Sequence, residues 1–347
     1  MPPELPPPPL RLTLDTDALV ANWCALDRLS GAASAGAAVK ADAYGLGARR
    51  VSRVLHAAGC RDFFVAHWSE AANLLDVVPA QEIAVLHGPQ SPADATFARE
   101  TGLRPVINSL HQARIWHEAE GGLCDLMVDT GINRLGLPLA ELADPVIAGL
   151  QVDVLHSHLA SADEELSQNE TQRARWIAAQ DHVQHRRASL ANSAGIALGP
   201  AYHGDLTRPG IALYGGVPRA EMASQIRQVA RPEAQVIQTK ELEAGDQVGY
   251  NATFTANGPM RIGVVSLGYA DGYLRCWSGK GAMLADGVRL TVLGRVSMDM
   301  TVIDLTKAPH VGEGDWVTLD YDLPAASRLS GLSQYELLTA LGRRFPR

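Results

Sequence analysis

Ala37-Ala38-Val39-Lys40-Ala41-Asp42-Ala43-Tyr44-Gly45-Leu46-Gly47-Ala48 reads as a short apolar strand that ends in a lysine, with an aromatic four residues later. A lysine at the end of a buried strand is poorly hydrated, which lowers its amine pKa and makes it a competent Schiff-base nucleophile toward an aldehyde cofactor. A lysine that merely snorkels from a strand edge has the same local sequence, so the surrounding chain has to decide. Seven more β-rich runs follow: Phe63 to Ala66, Ile83 to His87, Arg104 to Ile107, Cys124 to Val128, Val152 to His156, Ala188 to Asn192, and Ile211 to Tyr214. Longer amphipathic stretches separate them, among them Glu164 to Arg187, which carries His182 and His185 on a solvated face, and one opened by the capping pair Asn108-Ser109. Strands alternating with helices predict a parallel sheet, and eight such units predict a TIM (β/α)8 barrel.

Past about residue 225 the pattern changes to strands punctuated by turns such as Asp271-Gly272 and Asp286-Gly287. Arg261 to Leu267, Gly287 to Leu293 and Trp316 to Tyr321 are the clearest strands, and no helix is expected before Ser333 to Gly342. The expected division is a Pro-rich tail at 1–9, a barrel at 10–225 and a C-terminal mostly-β domain at 226–347. Leu10 to Leu14 is a candidate strand of that second domain. A chain of 347 residues exceeds what one hydrophobic core usually organises, which agrees with two domains.

No apolar run approaches the ~20 residues that a membrane-spanning helix needs. The net charge of -8 gives no basic footprint for nucleic acid. Met1 to Pro9 holds six prolines and lacks the basic region and apolar core of a signal peptide. Cys24, Cys60, Cys124 and Cys276 lie far apart without a C-x-x-C pair, which fits free thiols in a reducing cytoplasm and indicates neither zinc nor a disulfide framework.

A TIM barrel places its chemistry at the C-terminal ends of its strands and often binds phosphate after strands seven and eight. Lys40 ends the first run, Asp129 and Arg134 follow the fifth, and His156 and His158 end the sixth. Asn192-Ser193-Ala194-Gly195 ends the seventh, where backbone amides and the Ser193 hydroxyl can hold an anion. Arg208-Pro209-Gly210-Ile211 leads into the eighth. A reactive amine and a phosphate cradle at one barrel mouth point to a phosphate-bearing aldehyde, pyridoxal 5'-phosphate. Asp129-Thr130-Gly131 also spells an aspartic protease signature, but that chemistry needs a second such loop in a β-rich fold. His156 and His158 alternate along a strand and face the same way; with no third ligand nearby, hydrogen bonding is expected of them rather than metal binding.

Four separated motifs now resemble the alanine racemase family: Ala38 to Gly45, Val128 to Gly136, Gly249-Tyr250-Asn251-Ala252-Thr253-Phe254-Thr255, and Gly294-Arg295-Val296-Ser297-Met298-Asp299. With His158 to Asp163 and Gly268 to Tyr273, the similarity runs from residue 10 to the end. The resemblance implies that Lys40 carries the cofactor and is one of two bases, with Tyr250 the other. Taking the alpha proton on one face and returning one on the other inverts the carbon, and the cofactor stabilises the carbanion between the steps. It also implies that His158, hydrogen-bonded to the tyrosine, tunes it, and that Arg208 faces the pyridine nitrogen and discourages its protonation. Tyr44, Ser193, Gly210 and Ile211 match phosphate-binding positions, and Arg134 the arginine near the substrate carboxylate. Asp163, Tyr269, Arg275 and Arg295 match the substrate entryway. The family works as a head-to-tail homodimer, so Tyr250 and Met298 would come from the partner subunit.

Two departures from the family pattern bear on the site. Met127 stands where many members carry a carbamylated lysine that orients the arginine, which leaves Asn133 or a bound anion to hold Arg134. Arg343 aligns with a tyrosine found at the phosphate and inner gate, which bears on substrate breadth. The expected function is interconversion of L- and D-alanine in the cytoplasm, with D-alanine supplied to peptidoglycan. The alternatives are a broader racemase that also takes serine, a decarboxylase of the same architecture, for which Cys276 lacks the motif, and a non-catalytic carrier of pyridoxal phosphate. A carrier has no use for Tyr250 on a second domain.

Overall fold

Gly36 divides the first barrel strand into Ser34–Ala35 and Ala37–Ala38. The neighbouring strand passes so closely that a Cβ at Gly36 would lie 2.7 Å from the Asp62 carbonyl oxygen. The computed structural model describes residues 3, 5–342 and 344–345, so Arg343 lies outside the described residues. The chain divides into two units, one spanning Thr16–Arg227 and the other combining the N-terminal strand with Gln228–Arg347.

In the first unit, Ala37–Ala38, Phe63–Val65, Ile83–Val85, Arg104–Ile107, Leu123–Asp129, Gln151–His156 and His185–Ser189 pair in parallel in that order. Leu206–Thr207 pairs in parallel with Ser34–Ala35, and an isolated parallel bridge between Asn192 and Arg208, just past the ends of the seventh and eighth strands, closes the barrel. Most of the strands are short and buried on both faces, as expected where helices cover the outside. Phe63, Val65, Ile83, Val85, Ile107 and Leu126 are fully buried. Local chemistry sets the helix starts: Ser109 Oγ accepts from the Gln112 amide and caps Leu110–Glu118, and Ser91 caps Pro92–Thr101 in the same way.

The barrel differs from the sequence expectation in three places. Ile211–Tyr214 is a 3-10 turn, and the eighth strand is Leu206–Thr207, just before Arg208. Four apolar residues carry no period that separates strand from helical turn. The helix expected over Glu164 to Arg187 is confined to Ser167–Gln180, and His185 opens the seventh strand, where its Nδ1 lies 2.7 Å from the Val183 carbonyl oxygen. The seventh strand therefore spans His185–Ser189 rather than Ala188 to Asn192.

In the second unit, Ala230–Leu242, Met260–Val265, Thr301–Asp304, Val288–Leu293, Ala282–Ala285 and Trp316–Leu319 form an antiparallel sheet that returns on itself, because Trp316–Leu319 also pairs with Ala230–Leu242. Leu10–Leu14 adds to Ala230–Leu242, with Leu10 opposite Ala234. Arg11 reinforces that pairing through two hydrogen bonds to Glu233, at 2.7 and 2.8 Å, and lies over the Trp316 ring. Two helices close the unit, Leu323–Ser330 and Gln334–Thr339; the first was not anticipated from the sequence. Its start is set by Asp322, whose side chain accepts from the Ala325 amide, and by a proline in the first turn.

Candidate active site

The first barrel strand ends at Ala38, and Lys40 opens a turn rather than closing a strand. Ala41, Asp42, Ala43 and Tyr44 all adopt left-handed backbone angles, with φ between 53 and 57°. Such a run costs roughly 1–2 kcal/mol per residue and persists only where neighbours enforce it. The Glu70 carboxylate does so, its Oε1 accepting from the Ala41 amide at 2.7 Å and its Oε2 from the Ala66 amide at 2.7 Å. Asp42 Oδ1 accepts from the Ala48 amide at the start of the next helix. The turn thereby fixes Lys40 and Tyr44 on one short loop. Burial pushes the Lys40 amine below its ordinary value, and the charges of Arg134 and Arg208 push the same way, against Glu70.

Tyr44 is buried against Tyr214, ring centroids 4.9 Å apart, and Tyr214 donates to the Ala38 carbonyl. A Cβ on Gly210 would lie 2.3 Å from the Tyr44 hydroxyl, so only glycine lets the tyrosine approach this backbone. Ser193 Oγ accepts from the amides of Gly210 (2.8 Å) and Ala212 (3.3 Å), which leaves its hydroxyl hydrogen to donate. Asn192 caps the helix Ser193–Ala197 by accepting from the Gly195 amide, and the Ile211 amide opens the 3-10 turn alongside. Tyr44, Ser193, Gly210 and Ile211 thus meet in one corner of the barrel mouth. Their donor-rich, tightly approached backbone fits a phosphate.

Arg208 lies in the barrel interior, at the end of the eighth strand. Its Nη1 donates to Ser189 Oγ and approaches His156 Nδ1 at 3.2 Å; its Nη2 donates to the carbonyls of Ser157 and of Leu190, the latter at 3.3 Å. Among the described residues no carboxylate pairs with its guanidinium. Burial lowers its pKa to about 10, so it stays protonated at neutral pH. The partly buried His158 imidazole is pushed down to about 3 by desolvation and by the charges of Arg208, Arg134 and Lys40, which keeps it neutral. A desolvated amine, an anion corner and a buried cation can together hold an aldehyde phosphate with a pyridine ring, and the residues fit pyridoxal 5'-phosphate.

Arg134 sits exposed on the loop after the fifth strand. Asp129 Oδ1 ties that loop by accepting from the Gly131 and Asn133 amides, at 2.8 and 3.2 Å, so Asn133 engages Asp129 through its backbone. Met127 is buried in the strand. Gln172, reaching across to Thr130 Oγ1 and the His158 carbonyl, steadies both loops and was not singled out from the sequence. Asp163 lies exposed beyond them.

In the second unit, Tyr250 and Met298 are 65% and 52% exposed, so the surface that carries them does not cover them. Tyr269 and Ala270 donate their amides to the carbonyls of Ser297 and Met298, both at 3.0 Å, and Arg275 lies 5.2 Å over the Tyr269 ring. A Cβ on Gly268 would strike the Met298 carbonyl oxygen at 2.3 Å, so this approach of two loops requires glycine. The backbone of Arg295 passes 3.6 Å from where a Gly249 Cβ would stand, next to Tyr250. The structure thus gathers Tyr250, Tyr269, Arg275, Arg295 and Met298 on neighbouring loops of this unit.

Comparison with known proteins agrees with both units. The alanine racemase N-terminal domain matches residues 14–218, and the alanine racemase C-terminal domain residues 229–347. The chain is 42% identical to the alanine racemase of Methylobacterium nodulans over 97% of its own length and 95% of that protein. It is 41% identical to the biosynthetic alanine racemase of Agrobacterium fabrum, over 98% and 93%. Alanine racemase from Bartonella henselae with covalently bound pyridoxal phosphate superposes with a TM-score of 0.90 at 35% identity, covering 98% of this chain and 99% of that one. On the motifs, the two folded units and these likenesses, the chain belongs to the alanine racemase family.

Proposed function

We propose that the chain interconverts L- and D-alanine with pyridoxal 5'-phosphate carried on Lys40. The observation that supports this most directly is the barrel mouth, which combines a desolvated Lys40 amine, the Tyr44–Ser193–Gly210 corner and a buried Arg208 that makes no ion pair with a carboxylate among the described residues. When bound, the cofactor supplies the conjugated system that takes up the electron pair left on the alpha carbon.

The protein groups divide the remaining work. Lys40 Nζ, with its lowered pKa, takes or returns the alpha proton on one face of the substrate. Tyr250 Oη, supplied by a second copy of the chain, does so on the other, and Met298 of that copy contacts the substrate. Arg134 holds the alanine carboxylate. Arg208 presents charge to the pyridine nitrogen and keeps a proton off it, so the electron pair is held weakly and stray protonation is suppressed. His158, kept neutral, orients Tyr250 and packs at the cofactor. Asp163, Tyr269, Arg275 and Arg295 line the way in. The enzyme acts as a head-to-tail homodimer in the cytoplasm, and its product feeds cell-wall peptide. No described helix is long and apolar enough to cross a membrane.

The test is chiral chromatography of L-alanine and, separately, L-serine after incubation with protein reconstituted with pyridoxal phosphate. Alanine is expected to reach equal enantiomers while serine stays largely in the L form. Comparable conversion of serine would make the enzyme a broad racemase, and a protein that holds the cofactor yet converts neither would be a carrier.

A further inference from the structure

Asp125 and His156 are fully buried, with His156 against Arg208 and Asp125 behind it. His156 Nε2 lies 3.1 Å from Asp125 Oδ2, and its Nδ1 lies 3.2 Å from Arg208 Nη1. These three groups leave one arrangement of protons. A guanidinium only donates and an ionised carboxylate only accepts. The imidazole between them must carry its proton on Nε2 and present a bare lone pair at Nδ1.

The strand register is irregular at this contact. Along the fifth and sixth barrel strands, Cys124 faces Val152 and Leu126 faces Leu155, so the register slips by one residue at Asp125. Asp125 Oδ1 accepts the Val154 amide at 3.2 Å at that irregularity. Bulges are uncommon between parallel strands and tend to re-aim side chains beside active sites. Here the slip leaves one carboxylate oxygen for the ladder and turns the other toward His156.

We propose that Asp125 and His156 are positioning residues for Arg208: Asp125 fixes the imidazole tautomer, and the neutral imidazole gives the guanidinium an acceptor without giving it a counter-charge. A carboxylate in direct contact would hold the guanidinium as firmly but cancel the charge that it turns toward the cofactor. An imidazole in between supplies the geometry and passes on only an attenuated part of the negative charge. The groups around His156 act in the same sense. Burial, Arg208 and Arg104 all oppose its protonation and outweigh Asp125, pulling it down to about 4. Phe64 covers its edge, ring centroids 5.8 Å apart. Arg104, with an ion pair of 3.8 Å to Asp125 and hydrogen bonds to Asp62 and Asp153, keeps the carboxylate ionised from the far side. Arg187 completes that cluster through Asp62 and Asp153.

This inference rests on the reading of Arg208 as the partner of the pyridine nitrogen, and its first test is independent of turnover. In the full-length protein labelled with ¹⁵N-histidine and free of cofactor, the signal lost in His156→Gln is expected to show Nε2 protonated and Nδ1 bare from pH 9 down to about 5. A doubly protonated or Nδ1-protonated ring at neutral pH overturns the proposal. The second test compares two variants of similar size. His156→Gln keeps an acceptor for Arg208 and a donor for Asp125, whereas His156→Leu keeps only the bulk. Loss of a buried hydrogen bond to a charged group predicts that His156→Leu binds pyridoxal phosphate on the order of tenfold more weakly and loses more cofactor to transamination per turnover, with His156→Gln recovering most of both. If the two variants agree in affinity and in transamination, the histidine is packing only and the proposal fails. A wild-type protein that does not racemise alanine would instead refute the functional reading, and the tautomer measurement would still decide this one.

Discussion

A buried histidine reports its environment through acid stability, and His156 sets the sign. Unfolded, its pKa is about 6.5; folded, it is pulled down to about 4. Below pH 6.5 the unfolded chain therefore binds a proton that the folded chain refuses, so stability falls as pH falls, by about 1.4 kcal/mol per unit until the folded pKa is reached. Above 6.5 this residue adds no pH dependence. Asp125, held below the usual carboxylate range by Arg104 and His156 against burial, withdraws its own contribution only at lower pH. The urea midpoint of the wild type is expected to fall between pH 7 and pH 5, and to fall less in His156→Gln; parallel profiles would contradict this. At this scale sequence and structure divide unevenly. Lys40, Tyr44, Ser193, Arg208 and Gly210 were legible because each lies in a contiguous motif next to a strand end. The bond between Asp125 and His156 spans 31 residues and depends on a register slip that no local pattern encodes. The available signal was a charge within a buried strand, at Asp125, and another at the start of one, at Arg104.

Elements were legible where period and punctuation agree. The eighth strand was misplaced because Leu206–Thr207 has two residues and shows no alternation, while Ile211–Tyr214 offers an apolar run that closes into a 3-10 turn over Gly210. The left-handed turn after Lys40 was invisible for a different reason: none of its four residues is glycine, the one type that adopts those angles freely. That gives a test of how the turn is held. Ala41 is exposed, has φ 53°, and contributes a backbone amide rather than its methyl to Glu70. Replacing it by glycine relieves the steric cost and keeps the hydrogen bond, so Ala41→Gly is expected to stabilise the barrel by about 1 kcal/mol, after allowance for the freer unfolded chain. Ala41→Val, whose β-branch fits these angles worst, is expected to destabilise it by at least as much. Urea denaturation followed by circular dichroism measures both; a stabilising valine would show that the turn is not strained.

At the scale of the whole molecule, the proposed chemistry is shared between two units. Lys40 lies in the barrel unit and Tyr250 in the β unit, where it stays 65% exposed with Met298 nearby at 52%. A base exposed by its own unit suits a site completed by another copy of the chain, and a twofold dimer would make that completion reciprocal. The arrangement makes a quantitative prediction for mixed dimers. Lys40→Ala homodimers lack the cofactor lysine in both sites, and Tyr250→Phe homodimers lack the opposite-face base in both, so each is expected to be nearly inactive. When the two variants are co-expressed, a heterodimer pairs the intact Lys40 of one chain with the intact Tyr250 of the other in one of its two sites, and the second site carries both lesions. Random pairing makes half the dimers mixed, so activity is expected to return to roughly a quarter of the wild-type rate, and to roughly a half in heterodimers isolated with two affinity tags. If Tyr250 served the barrel of its own chain, every site would keep one lesion and mixing would restore nothing. Isolated heterodimers that remain as inactive as their parents would therefore remove the shared site while leaving the roles of both residues in place.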